Sequence, residues 1–189
     1  LGNKGVIKGG DVQWMTAGSG IIHQEMPKGD SDGIMEGFQL WANLPKNDKM
    51  MDPRYRDITA EQILLLRQDN GVEIKVICGQ VDGVSGPVTD VKIEPEYLDV
   101  WVPPNEKFTH ITDDKHTVFS YIYFGEGLFE DRAQEALGDK HLVLYEPGEK
   151  VDIIAKDKGL RFLLISGKPL VEPIAWGGPI VMNTEEELK

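Results

Sequence analysis

One cysteine, four histidines and 20 basic side chains in 189 residues are the scarcities that shape this sequence. The lone thiol, Cys78, excludes an intrachain disulfide, and no paired-Cys metal motif exists. With no activating base nearby in sequence, Cys78 reads as a buried, inert thiol. Acidic residues number 32 against the 20 basic ones, for a formal charge of −12. Phosphate binding rests on clustered Lys and Arg, and Arg54 and Arg56 around Tyr55 are too few, so a general nucleic-acid binder is excluded. A sequence pI near 4.7 equally disfavours adhesion to anionic membranes. No apolar run approaches the roughly 20 residues of a membrane helix. No signal segment is visible either, so a cytoplasmic location is expected, with the nucleus open as well in a eukaryotic cell.

Glycine and proline are not scarce, at 21 and 11 residues, and they punctuate short apolar stretches. Val72 to Cys78 alternates apolar and polar residues after the turn signal Asp69-Asn70-Gly71, the pattern of a half-buried strand. Further strands are expected at Val6 to Gln13, Gly37 to Leu44, Thr117 to Phe124, His141 to Tyr145, Lys150 to Ile154 and Leu160 to Ser166. Strands at such spacing point to an all-β sandwich or barrel. Helix signals are few: Thr59 to Gln62 is a passable capping box, and Ile63 to Leu66 reads equally as a buried strand. Gln80 to Val88 reads as a surface loop. A faint echo links Gly10-Asp11, a strand and Gly18 with Gly138-Asp139, a strand and Gly148, hinting at two related β-domains. Both ends read as cut. The opening Leu1 to Gly5 is turn-like and lacks methionine, and Thr184 with Glu187 forms a capping box where the chain closes.

Among the histidines, the sharpest local pattern is His23-Gln24-Glu25. On a strand, residues two apart share a face, so this imidazole and carboxylate are expected to point together into the concave interior of the first domain. Such a pair is half of a ligand set for Fe(II), Mn(II) or Ni(II). A bare His-x-Glu is more often a solvated pair on a strand face, because a metal needs at least one further ligand. Gly125-Glu126-Gly127 lacks the third glycine and the context of a dinucleotide loop. His110, His116 and His141 read as structural or surface residues that do not converge. The tryptophans read as core or interface residues, although Trp14 with Met15 could instead line a metal cavity.

The run Gly10-Asp11-Val12-Gln13-Trp14-Met15-Thr16-Ala17-Gly18-Ser19-Gly20-Ile21-Ile22-His23-Gln24-Glu25-Met26-Pro27 closely resembles the signature of the pirin family, a branch of the cupin superfamily. The resemblance continues through Gly37 to Pro45 and Lys49 to Tyr55, and returns at Gly167 to Leu170, Glu172 to Ile174 and Gly178 to Thr184. It implies an all-β bicupin of two β-sandwich (jelly-roll) domains, the N-terminal one incomplete. Residues 1–62 would be the remainder of the N-terminal metal-binding domain. Residues 63–189 would form a metal-free cupin domain whose closing segment returns to the first. The family's ligand set is two histidines on an early strand, then a His and a Glu on a later one. The later pair matches His23 and Glu25. The early pair is expected upstream of Leu1 and is absent here. The implied ion is Fe(II), with other divalent transition metals as alternatives.

Two functions follow from the resemblance. The first is a metal-dependent dioxygenase of the quercetin 2,3-dioxygenase type, taking a small aromatic substrate such as a flavonol together with O2. In it His23 holds the metal, and Glu25 is both ligand and catalytic base. The second is an iron-binding, redox-sensing co-regulator that docks on a partner protein without turnover. A third possibility is a scaffold whose metal is incidental. The enzyme is the favoured reading, and a monomer is expected.

Overall fold

A computed structural model describes residues 5–130 and 135–189. The Leu1 to Lys4 opening lies outside the described residues. The strands in chain order are β1 (Val12–Thr16), β2 (Arg54–Ile58), β3 (Leu64–Arg67), β4 (Glu73–Cys78), β5 (Gln80–Val81), β6 (Val84–Ser85), β7 (Glu96–Val102) and β8 (Lys107–Ile111). They continue as β9 (Thr117–Leu128), β10 (Leu137–Gly138), β11 (Leu142–Leu144), β12 (Lys150–Gly167), β13 (Ala175–Gly177) and β14 (Ile180–Met182). Among the described residues, three short 3-10 turns interrupt them, one of them at Ala60–Gln62 behind the Thr59 capping box. No helix among the described residues is long and apolar enough to cross a membrane.

The chain divides into two compact units, one of residues 1–14 with 57–169 and one of residues 15–56 with 170–189. The first is built on an eight-stranded sheet in the order β10-β9-β12-β7-β4-β3, with β11 added on β9 and β8 on β12. Alternation places Ile74 and Val76, Leu98 and Val100, Phe108, Ile122, Ile153, Phe162 and Leu164 on one face, where all are fully buried. Phe162 meets Phe108 edge-on at 5.5 Å and Phe129 at 6.3 Å, geometries that aromatic quadrupoles favour. A second cluster gathers Ile58, Ile63, Ile77, Cys78 and Val88, with Val12 and Trp14 against it.

The two expected strands at Lys150 to Ile154 and Leu160 to Ser166 are one strand, β12. Its first part pairs with β8 and its second with β7, and a register shift between Ala155 and Leu160 separates them on β9. Gly159 sits in this irregularity with a φ of +75°, and a Cβ there would run into the Trp101 ring and come within 2.9 Å of the Val102 carbonyl. Only glycine satisfies both conditions. Other boundaries also move. Gly37 to Leu44 forms no strand, β1 begins at Val12 rather than Val6, and Gln80 to Val88 holds the small β5–β6 hairpin. The Ile63 to Leu66 stretch yields an edge strand, with Leu64 and Leu65 exposed.

Across β8 and β12, Asp152 collects three donors. Lys150 Nζ lies at 2.6 Å, Thr109 Oγ1 at 2.6 Å and Lys107 Nζ at 3.2 Å. The Lys150 bond, then that of Thr109, pushes the Asp152 carboxyl down to about 2 from an ordinary 3.8. A carboxyl with a depressed folded-state value stabilises the fold above its ordinary value, and that contribution disappears as the pH falls towards 2. Both lysines are half exposed, so solvent screening reduces the effect to about 1 kcal/mol. Asp152→Asn is expected to cost that much near neutral pH in urea denaturation. Its difference from the parent chain should vanish at about pH 2.

The second unit is held by polar contacts rather than by an apolar core. Lys49 is buried, and its Nζ donates to Asn43 Oδ1 at 2.6 Å and to the Val181 carbonyl at 3.2 Å. Burial pushes its ammonium below the usual lysine range, against the opposing pull of Glu172 and Glu187. Asn183 Nδ2 donates to the Pro173 carbonyl and to Glu172. Residues 170–189 thereby pack on 15–56. The Thr184 and Glu187 capping box closes a 3-10 turn at Glu186–Leu188.

Candidate metal-binding segment

The chain enters the segment through a tight glycine turn. Gly18 has a φ of +52°, and a Cβ on it would collide with the Met51 carbonyl. That carbonyl accepts the Ser19 N–H at 2.9 Å, and Ala17 O accepts the Gly20 N–H at 2.9 Å. The segment that follows differs from the expected strand. Residues 20–29 are irregular, because no other strand among the described residues pairs with them to satisfy a ladder. His23 and Glu25 are correspondingly exposed rather than directed into a concave interior, with side-chain exposures of 45% and 68%.

The two side chains nonetheless converge. His23 Nε2 lies 3.7 Å from Glu25 Oε1. Two ligands each about 2.0–2.2 Å from one ion stand roughly 3–4 Å apart, so this nitrogen and oxygen fit as two donors to a common transition ion. Two donors alone do not complete a coordination sphere. Among the described residues no group of three or more His, Cys, Asp or Glu is placed to hold a metal.

The other histidines have separate surroundings. His110 Nε2 lies 2.6 Å from Glu96 Oε2, and His116 Nε2 lies 4.0 Å from Asp113 Oδ2. His141 Nδ1 lies 3.0 Å from the Gly138 carbonyl. The pairing of His110 with Glu96 is the feature that sequence reasoning missed. One signal was available: Glu96 continues the inward register of Leu98, Val100 and Val102, so a carboxylate stands on an otherwise apolar face. Trp14 packs with the second apolar cluster, whereas Met15 is exposed. The buried Cys78 thiol donates to the Val88 carbonyl at 3.3 Å.

Comparison with known proteins extends this geometry. The family model described as "Pirin" matches residues 1–42, which include His23 and Glu25, and "Pirin C-terminal cupin domain" matches residues 97–189. Pirin-1 of Arabidopsis thaliana is 40% identical over 99% of this chain and 64% of its own length. A Pseudomonas aeruginosa protein named "Putative quercetin 2,3-dioxygenase" is 41% identical over 100% of this chain and 67% of its own. The crystal structure of quercetin 2,3-dioxygenase from Acinetobacter baumannii superposes with a TM-score of 0.82 at 27% identity, covering 99% of this chain and 65% of that one. The chain thus spans about two thirds of the length of these relatives. The expected all-β cupin fold is the one observed. With both family models in order along it and relatives near 40% identity over its whole length, the chain belongs to the pirin family.

Proposed function

We propose that the whole protein is a metal-dependent oxygenase of the quercetin 2,3-dioxygenase type, and that this chain contributes His23 and Glu25 to its metal centre. The observation that carries this reading is the 3.7 Å approach of an imidazole nitrogen to a carboxylate oxygen, within the segment matched by the N-terminal family model. The names of the similar proteins support the reaction class. A mixed nitrogen and oxygen donor set suits Fe(II) among the divalent transition ions. The two further histidines of the set would lie outside the described residues. When bound, the ion supplies a Lewis acid for the substrate hydroxyl and a redox partner for O2.

The chain's own residues have distinct tasks. His23 presents Nε2 as the donor atom, which requires the tautomer with its proton on Nδ1. Glu25 takes the proton of the flavonol 3-hydroxyl onto a carboxylate oxygen, leaving the substrate oxygen anionic and electron-rich. Both side chains are exposed, so a planar aromatic substrate can reach them from the same side as the ion. The test is oxygen uptake by the full-length, Fe(II)-loaded protein with quercetin. Consumption of O2 in step with loss of quercetin is expected. Stoichiometric iron without any uptake would overturn the enzymatic reading.

A further inference from the structure

At one end of the first unit's apolar interior the filling turns polar. Glu96, Leu98, Val100 and Val102 share the inward face of β7, and Phe162, Leu164 and Ser166 share that of β12. The register sets Leu164 against Leu98 and Ser166 against Glu96. A hydroxyl and a carboxylate therefore stand side by side, two rungs along the ladder from a pair of fully buried leucines. His110 reaches the same layer from β8, binding Glu96 at 2.6 Å and stacking its ring on Phe108.

Against this layer lies a cavity of about 220 Å³. Its wall includes Glu94 and Asp113 as well as Glu96, with His116 beside Asp113, and an apolar side formed by Pro95 and Ile111. No Lys or Arg is among the described residues that line it. Ser166 is only 6% exposed, and its hydroxyl makes no hydrogen bond to another described residue. A hydroxyl that lines the cavity beside several carboxylates offers acceptor capacity that a cationic donor can fill. The volume is several times the roughly 30 Å³ that one water occupies in the liquid.

We propose that this cavity is a binding site for a small aliphatic amine. An ammonium group carries three N–H donors and no acceptor. Those donors match the Ser166 oxygen, the lone pairs of Glu96 that His110 leaves free, and a carboxylate of Glu94 or Asp113. The alkyl chain lies along Pro95 and Ile111. The same carboxylates repel anions, and a neutral alcohol of equal size loses the charge-assisted part of each bond. The Asp113 carboxyl is held below its usual range chiefly by the Lys115 backbone N–H, which keeps it in the form that attracts a cation.

The test titrates the full chain near pH 7, at matched ionic strength, with n-butylamine, 1-butanol and butyrate. Binding is read from the amide resonances of Glu96 and Ser166. Butylamine is expected to give saturable shifts in the millimolar range, as its few non-hydrogen atoms allow. Butanol should bind at least about tenfold more weakly and butyrate should give no saturable shift, because only an ammonium makes charge-assisted bonds to the carboxylates. Ser166→Ala should weaken the amine about tenfold or more with the rest of the spectrum unchanged, the effect of one lost bond to a charged donor. Glu96→Gln should weaken it further. The spectrum of Ser166→Ala, which leaves the His110 contact in place, keeps the test decisive even if Glu96→Gln unfolds. Equal response to amine and alcohol, amine shifts away from Glu96 and Ser166, or undiminished binding by Ser166→Ala would each overturn the proposal.

Discussion

Glu25→Gln in the full-length protein is expected to lower quercetin-dependent oxygen uptake by about a hundredfold or more, the usual contribution of a positioned base. Metal content should fall with it. The substitution nearly preserves side-chain shape, but it removes the negative charge that a cation needs and the lone pair that accepts the substrate proton. On the proposed reading Glu25 loses both tasks at once. His23→Ala separates them. It removes a ligand and leaves the carboxylate, so metal content should fall and excess Fe(II) should restore part of the activity. Metal analysis beside oxygen uptake provides the check. Full metal content with full uptake in Glu25→Gln would leave Glu25 neither ligand nor base. The 3.7 Å approach to His23 would then be a surface ion pair of the kind that contributes little.

Phe162→Ala is expected to destabilise the chain by about 3–5 kcal/mol, the range for truncating a fully buried aromatic residue. Phe162 has no exposed surface and touches the rings of both Phe108 and Phe129. It stands just beyond the register shift in β12, between β7 and β9. Strands on both sides hold the backbone in place, so the cavity cannot collapse, and the lost contacts are not replaced. Phe162→Leu retains most of the volume and should cost much less. Phe124→Ala gives the contrast, because Phe124 is 47% exposed on the outer face and should lose about 1 kcal/mol or less. Urea denaturation of the three variants measures the series. Equal losses for Phe162→Ala and Phe124→Ala would show that the interior relaxes freely.

The family, the fold class and the scarcity of helix were legible in the amino-acid order, because each depends on local pattern. Alternation at Val72 to Cys78 marks β4, and the capping residues Thr59 and Thr184 mark turns that the structure contains. The motif blocks around His23 and Glu25 identified the lineage without any knowledge of contacts. Tertiary structure decided what depends on a partner far along the chain. A strand exists only where another backbone completes its hydrogen bonds, so residues 20–29 and 37–44 remain irregular despite their composition. Lys150 to Ile154 and Leu160 to Ser166 merge because β8, β7 and β9 line up beside them. Glu96 meets His110 across 14 residues, and Ser166 meets Glu96 across a ladder. No local pattern encodes such a meeting, because it is fixed by strand register, and register is set by the burial of the whole interior face at once.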